Sequence, residues 1–138
     1  MKNTGIWIDK NKALVVTLEK GKESLNQVVS KVDHFNPNGG SGTNAKGGPQ
    51  DVVHDSKYDA REKQQLKDYF KEVVAQVSDS ERLVIFGPAG TNEKLSKEIH
   101  THYKDLGPKI LAVEKADSMS DNQVKAWVRS FFSVYEER

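Results

Sequence analysis

The apolar run at residues 83–86, with the turn that follows it, constrains the fold more than any other feature of this chain. Its four residues are bulky, partly β-branched and not interrupted by a polar side chain. Such a run is typical of a strand buried on both faces, in a sheet that helices cover. Two glycines and a proline in 87–90 end the strand, and a helical pattern opens at Thr91 or Asn92. The sequence therefore predicts a buried strand, a tight turn and a helix.

Composition bounds the class of protein. A chain of 138 residues with 36% hydrophobic and 30% charged residues suits one folded domain, which we assign to 1–138. The net charge of +1 argues against a dominant electrostatic attraction to nucleic acid, although a local basic face is compatible with it. The absence of cysteine excludes disulfides and thiolate sites. Residues 1–9 are too briefly apolar for a signal peptide, and no run is long enough to span a membrane, so we expect a cytoplasmic protein.

Three short strands are predicted in the first third of the chain, at 5–9, 13–18 and 24–32. Short polar turns join them, which indicates an antiparallel meander. Both faces of the third strand are mixed, so we expect an edge strand or a partly exposed one. A capping-box pattern at 59–62 predicts the start of the first helix.

The rest of the chain alternates between helices and strands. A second helix is predicted at 92–106, a fifth strand at 109–113, and a last helix after a second capping box at 120–123. The inner face of the last helix is predicted to carry Val124, Trp127, Val128, Phe131 and Tyr135.

The order is therefore β-β-β-α-β-α-β-α. Strands joined through helices should be parallel. This order predicts an α/β fold with a mixed five-stranded sheet and helices on both faces, the three-layer ribonuclease H-like arrangement.

A glycine-rich tract at 36–50 interrupts the domain and holds half of the chain's glycines. It cannot bury enough surface to offset the entropy cost of ordering, so we expect a flexible loop over 36–58 before the first helix. Two interpretations stay open. Long loops inside compact domains are often functional, but a surface excursion is also tolerated.

Two candidate sites lie where strands end. Asp9 follows the first strand, where a two-metal nuclease would place a carboxylate, but aspartate is also an ordinary turn residue and we favour the turn. The turn residues Gly87, Gly90, Thr91 and Lys94 could bind an anion through backbone N–H groups at the start of a helix. A plain strand-to-helix turn explains the same residues.

Histidines and lysines give no further site. His100 and His102 are two residues apart on a predicted helix and point to different faces, so we expect no metal site and no cofactor. The lysines of the second half are interleaved with acids, which is typical of a solvated face. They are Lys94, Lys97, Lys104, Lys109 and Lys115.

Four segments carry a resemblance to a known family. They are GIWIDKNKALV (5–15), VIFGPA (84–89), EKLSKE (93–98) and ADSMSDNQV (116–124). They resemble small bacterial proteins called translational machinery proteins. These in turn are similar to the middle domain of eukaryotic and archaeal class I peptide-chain release factors and of pelota, a ribosome-rescue factor.

The resemblance implies a role in translation. Release factors carry Gly-Gly-Gln in the loop before the first helix, where it supports ester hydrolysis of peptidyl-tRNA. Here that loop has Gly47, Gly48 and Gln50, with Pro49 inserted before the glutamine. Proline removes a backbone N–H and displaces the glutamine by one residue, and a misplaced catalytic group loses most of its rate. Pelota indicates that the fold can act without this motif.

We therefore expect a non-enzymatic factor that binds the ribosome or structured RNA. The expected contacts are Lys46, Gly47, Gly48, Gln50 and Lys57. Two alternatives stay open. One is a peptidyl-tRNA or nucleic-acid hydrolase that uses the glycine-rich loop or Asp9. The other is a protein-interaction module whose interface is the edge strand at 24–32.

Overall fold

Five strands form one mixed sheet. The structure, a computed structural model, describes the backbone of residues 2–30, 48–88 and 90–136, and the side chains of these residues except 48–59 and 135–136. The strands are β1 Lys2–Ile8, β2 Lys12–Glu19, β3 Lys22–Val29, β4 Arg82–Gly87 and β5 Ile110–Lys115. Their spatial order is β3-β2-β1-β4-β5.

The direction of each strand follows from its connection. β1, β2 and β3 are joined by tight turns and pair antiparallel. β4 pairs parallel with β1 and with β5, because helices connect these strands. The meander, the parallel second half and the position of β3 at an edge were all predicted, and they are confirmed.

Helices cover both faces of the sheet. They are α1 Gly48–Val77, α2 Thr91–His102 and α3 Asp121–Glu136, with a short 3-10 turn at Gly107–Lys109 between α2 and β5. Side chains of α1 and α2 share one hydrophobic cluster with the sheet, and side chains of α3 share the other. The predicted α/β architecture, a mixed five-stranded sheet with helices on both faces, is confirmed.

β4 lies between two neighbours and between both helical layers. Leu83 and Ile85 belong to the cluster with α1 and α2, whereas Val84 and Phe86 belong to the cluster with α3. All four side chains are 0% exposed. Burial of each stabilises the fold by about 1.5–3 kcal/mol. The prediction of a strand buried on both faces is therefore confirmed.

The start of the first helix differs from the prediction. α1 begins at Gly48, so residues 48–58 of the predicted loop 36–58 are helical and the pattern at 59–62 lies inside the helix. No glycine or proline follows Pro49 before residue 59. Proline is accommodated in a first helical turn, where its missing N–H has no intrahelical partner. The helix can therefore continue upstream past a sequence that could have capped it.

The start of the last helix agrees with the prediction. The backbone N–H of Ser120 donates to Gln123 Oε1 at 2.9 Å, and the N–H of Gln123 donates to Ser120 Oγ at 3.2 Å. This reciprocal pair is the predicted capping box. The N–H groups of the cap residue Ser120 and of Gln123 in the first turn each thereby gain a side-chain acceptor.

The inner face of α3 is rotated from the predicted one. Among its described side chains, the buried ones are Val124, Val128 and Phe132, at four-residue spacing, and the side chain of Tyr135, which was predicted on the inner face, lies outside the described residues. Trp127 and Phe131 are only partly buried, at the side of the helix. α3 can approach β1 closely at Gly5, where an added Cβ would lie 2.4 Å from Val128 Cγ2. Phe132, not predicted as an inner residue, completes this contact face.

Candidate functional site

The carboxyl ends of β1, β4 and β5 meet at one edge of the sheet, and backbone contacts tie them together. The N–H of Ala116 donates to the carbonyl of Gly87 at 3.0 Å. The side chain of Asn92, in the first turn of α2, donates to the carbonyl of Glu114 at 2.8 Å. The carboxyl ends of the strands are where ligands bind in open α/β sheets.

The predicted anion-binding residues lie together in the turn between β4 and α2. Gly90 has a left-handed conformation with φ of 83°, and no side chain caps α2. Thr91 is 3% exposed, whereas the Lys94 side chain is exposed. The backbone N–H of Lys94 already donates to the Gly90 carbonyl at 3.1 Å. The turn has the backbone form that the sequence indicated, and anion binding there stays a prediction.

Gly87 sits where no side chain fits. Its φ is 153°, and an added Cβ would lie 2.2 Å from the carbonyl oxygen of Ile8. Residues other than glycine rarely adopt this φ. The atom in the way belongs to the backbone of β1, which cannot move aside as a flexible side chain could. Gly87 therefore fixes how closely the ends of β1 and β4 approach each other.

Asp9 is a turn residue. Its Oδ1 accepts hydrogen bonds from the backbone N–H groups of Asn11 at 2.7 Å and Lys12 at 2.8 Å. Its carbonyl oxygen accepts a hydrogen bond from the Tyr69 hydroxyl at 3.1 Å. Burial raises the pKa of the Tyr69 hydroxyl above its ordinary value, and the Asp9 carboxylate raises it further.

No converging carboxylates accompany Asp9. Among the described side chains, those of 2–30, 60–88 and 90–134, no three His, Asp or Glu residues are grouped so that they could hold a metal ion. Two-metal hydrolysis requires several such ligands within a few ångströms. The geometry around Asp9 thus matches the turn interpretation.

Three of the five residues expected to contact RNA fall in the first part of α1. Lys46 and Gly47 lie outside the described residues. Gly48, Gln50 and Lys57 lie in the first part of α1, where the backbone is helical. The contact site that these five residues were predicted to form stays a prediction.

A basic groove lies between α1 and α2, and the sequence did not indicate it. We call it the lysine groove; it encloses about 360 Å³. Lys63 and Lys67 line it from α1, and Lys94 and Lys97 line it from α2. The only signal in the sequence was their spacing, since residues three or four apart share one helix face. Nothing local to either segment predicts that the two faces lie next to each other.

An apolar groove of about 770 Å³ lies on the opposite face of the sheet, between α3 and β5. Five strands about 4.8 Å apart are about 19 Å wide, whereas a helix with its side chains is about 10 Å wide. Of the described elements, only α3 packs on this face, so these elements leave a strip of the sheet uncovered. Trp127 borders it and stacks on Phe86 with ring centroids 3.8 Å apart, and on Phe131 with centroids 5.7 Å apart.

No helix in the described part of the chain is long and apolar enough to cross a bilayer. The chain matches no protein-family model and no curated protein sequence.

Solved structures of two kinds of protein share its fold. The Pelota protein of Thermoplasma acidophilum is 13% identical with a TM-score of 0.54, over 94% of this chain and 32% of that one. Pelota of Archaeoglobus fulgidus is 12% identical with a TM-score of 0.54, over 99% and 37%. The archaeal translation termination factor aRF1 is 7% identical with a TM-score of 0.55, over 98% and 40%. This chain thus spans between about a third and two fifths of the length of these proteins, and nearly all of it has the fold of one part of Pelota and of aRF1.

Proposed function

We propose that this protein is a non-enzymatic factor of the translation apparatus that binds the ribosome or structured RNA. The observation that carries the proposal is the likeness of nearly the whole chain to one part of Pelota and of aRF1, the latter a translation termination factor. We assign residues 1–138 to a single ribonuclease H-like domain that corresponds to the middle domain of those factors. Its relatives in this proposal are the small bacterial translational machinery proteins, and its compartment is the cytoplasm.

The proposed contact element is the segment around the start of α1. It comprises Lys46, Gly47, Gly48, Gln50 and Lys57. A helix begins at Gly48, and the partial positive charge of a helix N-terminus favours phosphate groups. The anion-binding turn before α2 is a second proposed contact, and no metal or organic cofactor enters the proposal.

Pro49 supports a role without catalysis. It separates Gly48 from Gln50, so the glutamine is one residue out of step with a Gly-Gly-Gln motif. Because catalysis depends on placing the reacting groups within a fraction of an ångström, such a shift is expected to abolish ester hydrolysis. The competing proposal is a hydrolase that uses this loop or Asp9.

Sedimentation tests the proposal. Tagged protein is run through a sucrose gradient with cell extract at low salt, with and without translational stress. We expect it in ribosomal fractions, and we expect Lys46→Gln with Lys57→Gln to reduce that share. Lys20→Gln with Lys22→Gln removes the same charge elsewhere and should leave it unchanged. Absence of the wild-type protein from every ribosomal fraction would contradict the proposal.

An activity assay separates the factor from the hydrolase. Wild-type protein is incubated with ribosome-bound peptidyl-tRNA, and separately with RNA and magnesium. We expect no release and no cleavage. Release that disappears in Gln50→Ala, or cleavage that disappears in Asp9→Ala, would establish the hydrolase instead.

A further inference from the structure

Among the described residues, the lysine groove has more positive than negative charges. Across the described residues, Lys63, Lys67, Lys94 and Lys97 take part in no ion pair. Two carboxylates, of Glu62 and Glu98, also border the groove, and Glu98 lies 3.9 Å from His102 Nε2. Lysines therefore outnumber acids by four to two at the groove. A chain with a net charge of only +1 thus has a locally basic surface here.

The arrangement of these lysines suits an extended anion. Lys63 and Lys67 are four residues apart, about 6 Å along α1, and Lys94 and Lys97 are three residues apart, about 4.5 Å along α2. These distances are of the same order as that between successive phosphates of a nucleic-acid strand. The two rows occupy opposite walls of the groove, so a strand lying between the helices can be contacted from both sides.

The floor of the groove is apolar. Leu66 and Phe70 form it, and Phe70 is 3% exposed. The lysine stems can lie along this surface while their ammonium groups stay in water. An apolar floor also lowers the local dielectric constant, which strengthens the attraction for a charge held above it.

Keeping these lysines close together has a cost. Like charges four residues apart destabilise a helix by about 0.2–0.5 kcal/mol for each pair. Polyanion binding offsets this cost, because contact with phosphates releases condensed counterions and makes affinity depend steeply on salt.

We propose that the lysine groove between α1 and α2 binds the phosphate backbone of folded RNA. This inference rests on the proposed function and adds a third contact surface to it. The groove shares Lys94 with the turn before α2 and shares no residue with the glycine-rich segment. An acidic peptide could be attracted by the same charges. Lysine binds phosphate as a point charge, and the spacing of these lysines is of the same order as that of successive phosphates, which favours the phosphate backbone.

The test compares two charge-matched variants. The groove variant carries Lys63→Gln, Lys67→Gln, Lys94→Gln and Lys97→Gln. The control variant carries Lys20→Gln, Lys22→Gln, Lys115→Gln and Lys125→Gln, and it loses the same number of charges outside the groove. Binding to a fluorescent ribosomal RNA hairpin is measured by anisotropy between 50 and 200 mM salt, after circular dichroism has verified that both variants fold.

We expect wild-type affinity for the hairpin to fall steeply with salt. If all four lysines contact phosphates, the groove variant should reduce the slope of log affinity against log salt by about 3, while the control variant keeps the wild-type slope. A third variant with arginine at the four groove positions should retain binding, since arginine keeps the charge. Equal slopes for the groove and control variants would overturn the inference.

The other outcomes separate this inference from the proposed function. Ribosome sedimentation that persists in the groove variant, with unchanged RNA affinity, overturns the inference and leaves the translation factor standing. Groove-dependent RNA binding without ribosome association supports the inference and removes the ribosome as partner. Groove-dependent binding of poly-glutamate that is tighter than RNA binding overturns the inference in favour of an acidic protein.

Discussion

Replacement of Gly87 by alanine, which adds only a methyl group, should be among the most destabilising substitutions of this kind in the protein. Two separate costs apply. The φ of 153° is strained for any residue with a Cβ, and the new Cβ would lie 2.2 Å from the Ile8 carbonyl oxygen. Strained φ/ψ costs about 1–3 kcal/mol, and forcing extra volume into a packed interior costs about 1–3 kcal/mol. Taking the midpoints, Gly87→Ala should destabilise the fold by about 4 kcal/mol.

Thermal unfolding converts this figure into a measurable shift. The entropy of unfolding is about 2.1 cal/mol/K per residue, or about 290 cal/mol/K for the whole chain, so 1 kcal/mol corresponds to about 3.4 °C. Gly87→Ala should lower Tm by about 14 °C by this estimate.

Gly21 supplies the matched control. Its φ is 77°, but nothing lies within 4 Å of an added Cβ. Gly21→Ala therefore carries the strain without the overlap, about 1.5 kcal/mol or about 5 °C. Differential scanning calorimetry measures both variants. Equal Tm losses at the two glycines would refute the reasoning, because the close approach of β4 to β1 would then carry no cost of its own.

Three other side chains give shorter tests. Burial holds the pKa of Tyr69 above its value in the unfolded chain. The stability that the neutral hydroxyl contributes is therefore complete below about pH 10 and is lost as pH rises further, by up to about 1.4 kcal/mol per pH unit. In Tyr69→Phe, the free energy of unfolding, measured with a chemical denaturant at several pH values above 10, should therefore fall less steeply with pH. Ser120→Ala removes a helix cap and should cost about 1 kcal/mol in urea unfolding. The hydroxyl groups of Thr4 and Ser80 share a buried hydrogen bond of 2.6 Å. Ser80→Ala leaves the Thr4 hydroxyl without this partner and should lower the free energy of unfolding by about 1–3 kcal/mol. Adding Thr4→Val removes that hydroxyl and should recover part of the loss in a double-mutant cycle.

Elements defined by local patterns were predicted well. The run at 83–86 has no polar residue, and a strand with two apolar faces can be stable only between two layers. The pattern at 120–123 caps α3 because a non-helical segment, 116–120, precedes it. Where a local pattern and the segments next to it agree, the sequence is sufficient to predict the element.

The pattern at 59–62 shows why context matters. Asp59 and Glu62 have the spacing of a capping box, yet the helix begins at Gly48. A capping side chain is needed only in the first turn of a helix, where the backbone N–H groups have no intrahelical acceptor. When the residues upstream are helical, their carbonyl groups accept those hydrogen bonds instead. Sequence patterns identify possible boundaries, while competition with the neighbouring segment decides which one is used.

The lysine groove shows a different limit. Lys94 and Lys97 looked like part of a solvated face, because acids are interleaved with them along the chain. Their proximity to Lys63 and Lys67 depends on packing α1 beside α2 over one face of the sheet. Such a surface arises from tertiary structure, so one-dimensional charge patterns cannot predict it.

The central position of β1 has a consequence for how the chain assembles. β1 pairs on one side with β2, which follows it directly, and on the other with β4, from Asn3 opposite Arg82 to Trp7 opposite Phe86. Until β4 docks, the meander of residues 2–30 presents an unpaired apolar edge, which is a template for self-association. A peptide of residues 1–30 should therefore aggregate alone and become soluble when a fragment of residues 48–138 is added, and light scattering that is unaffected by that fragment would contradict this.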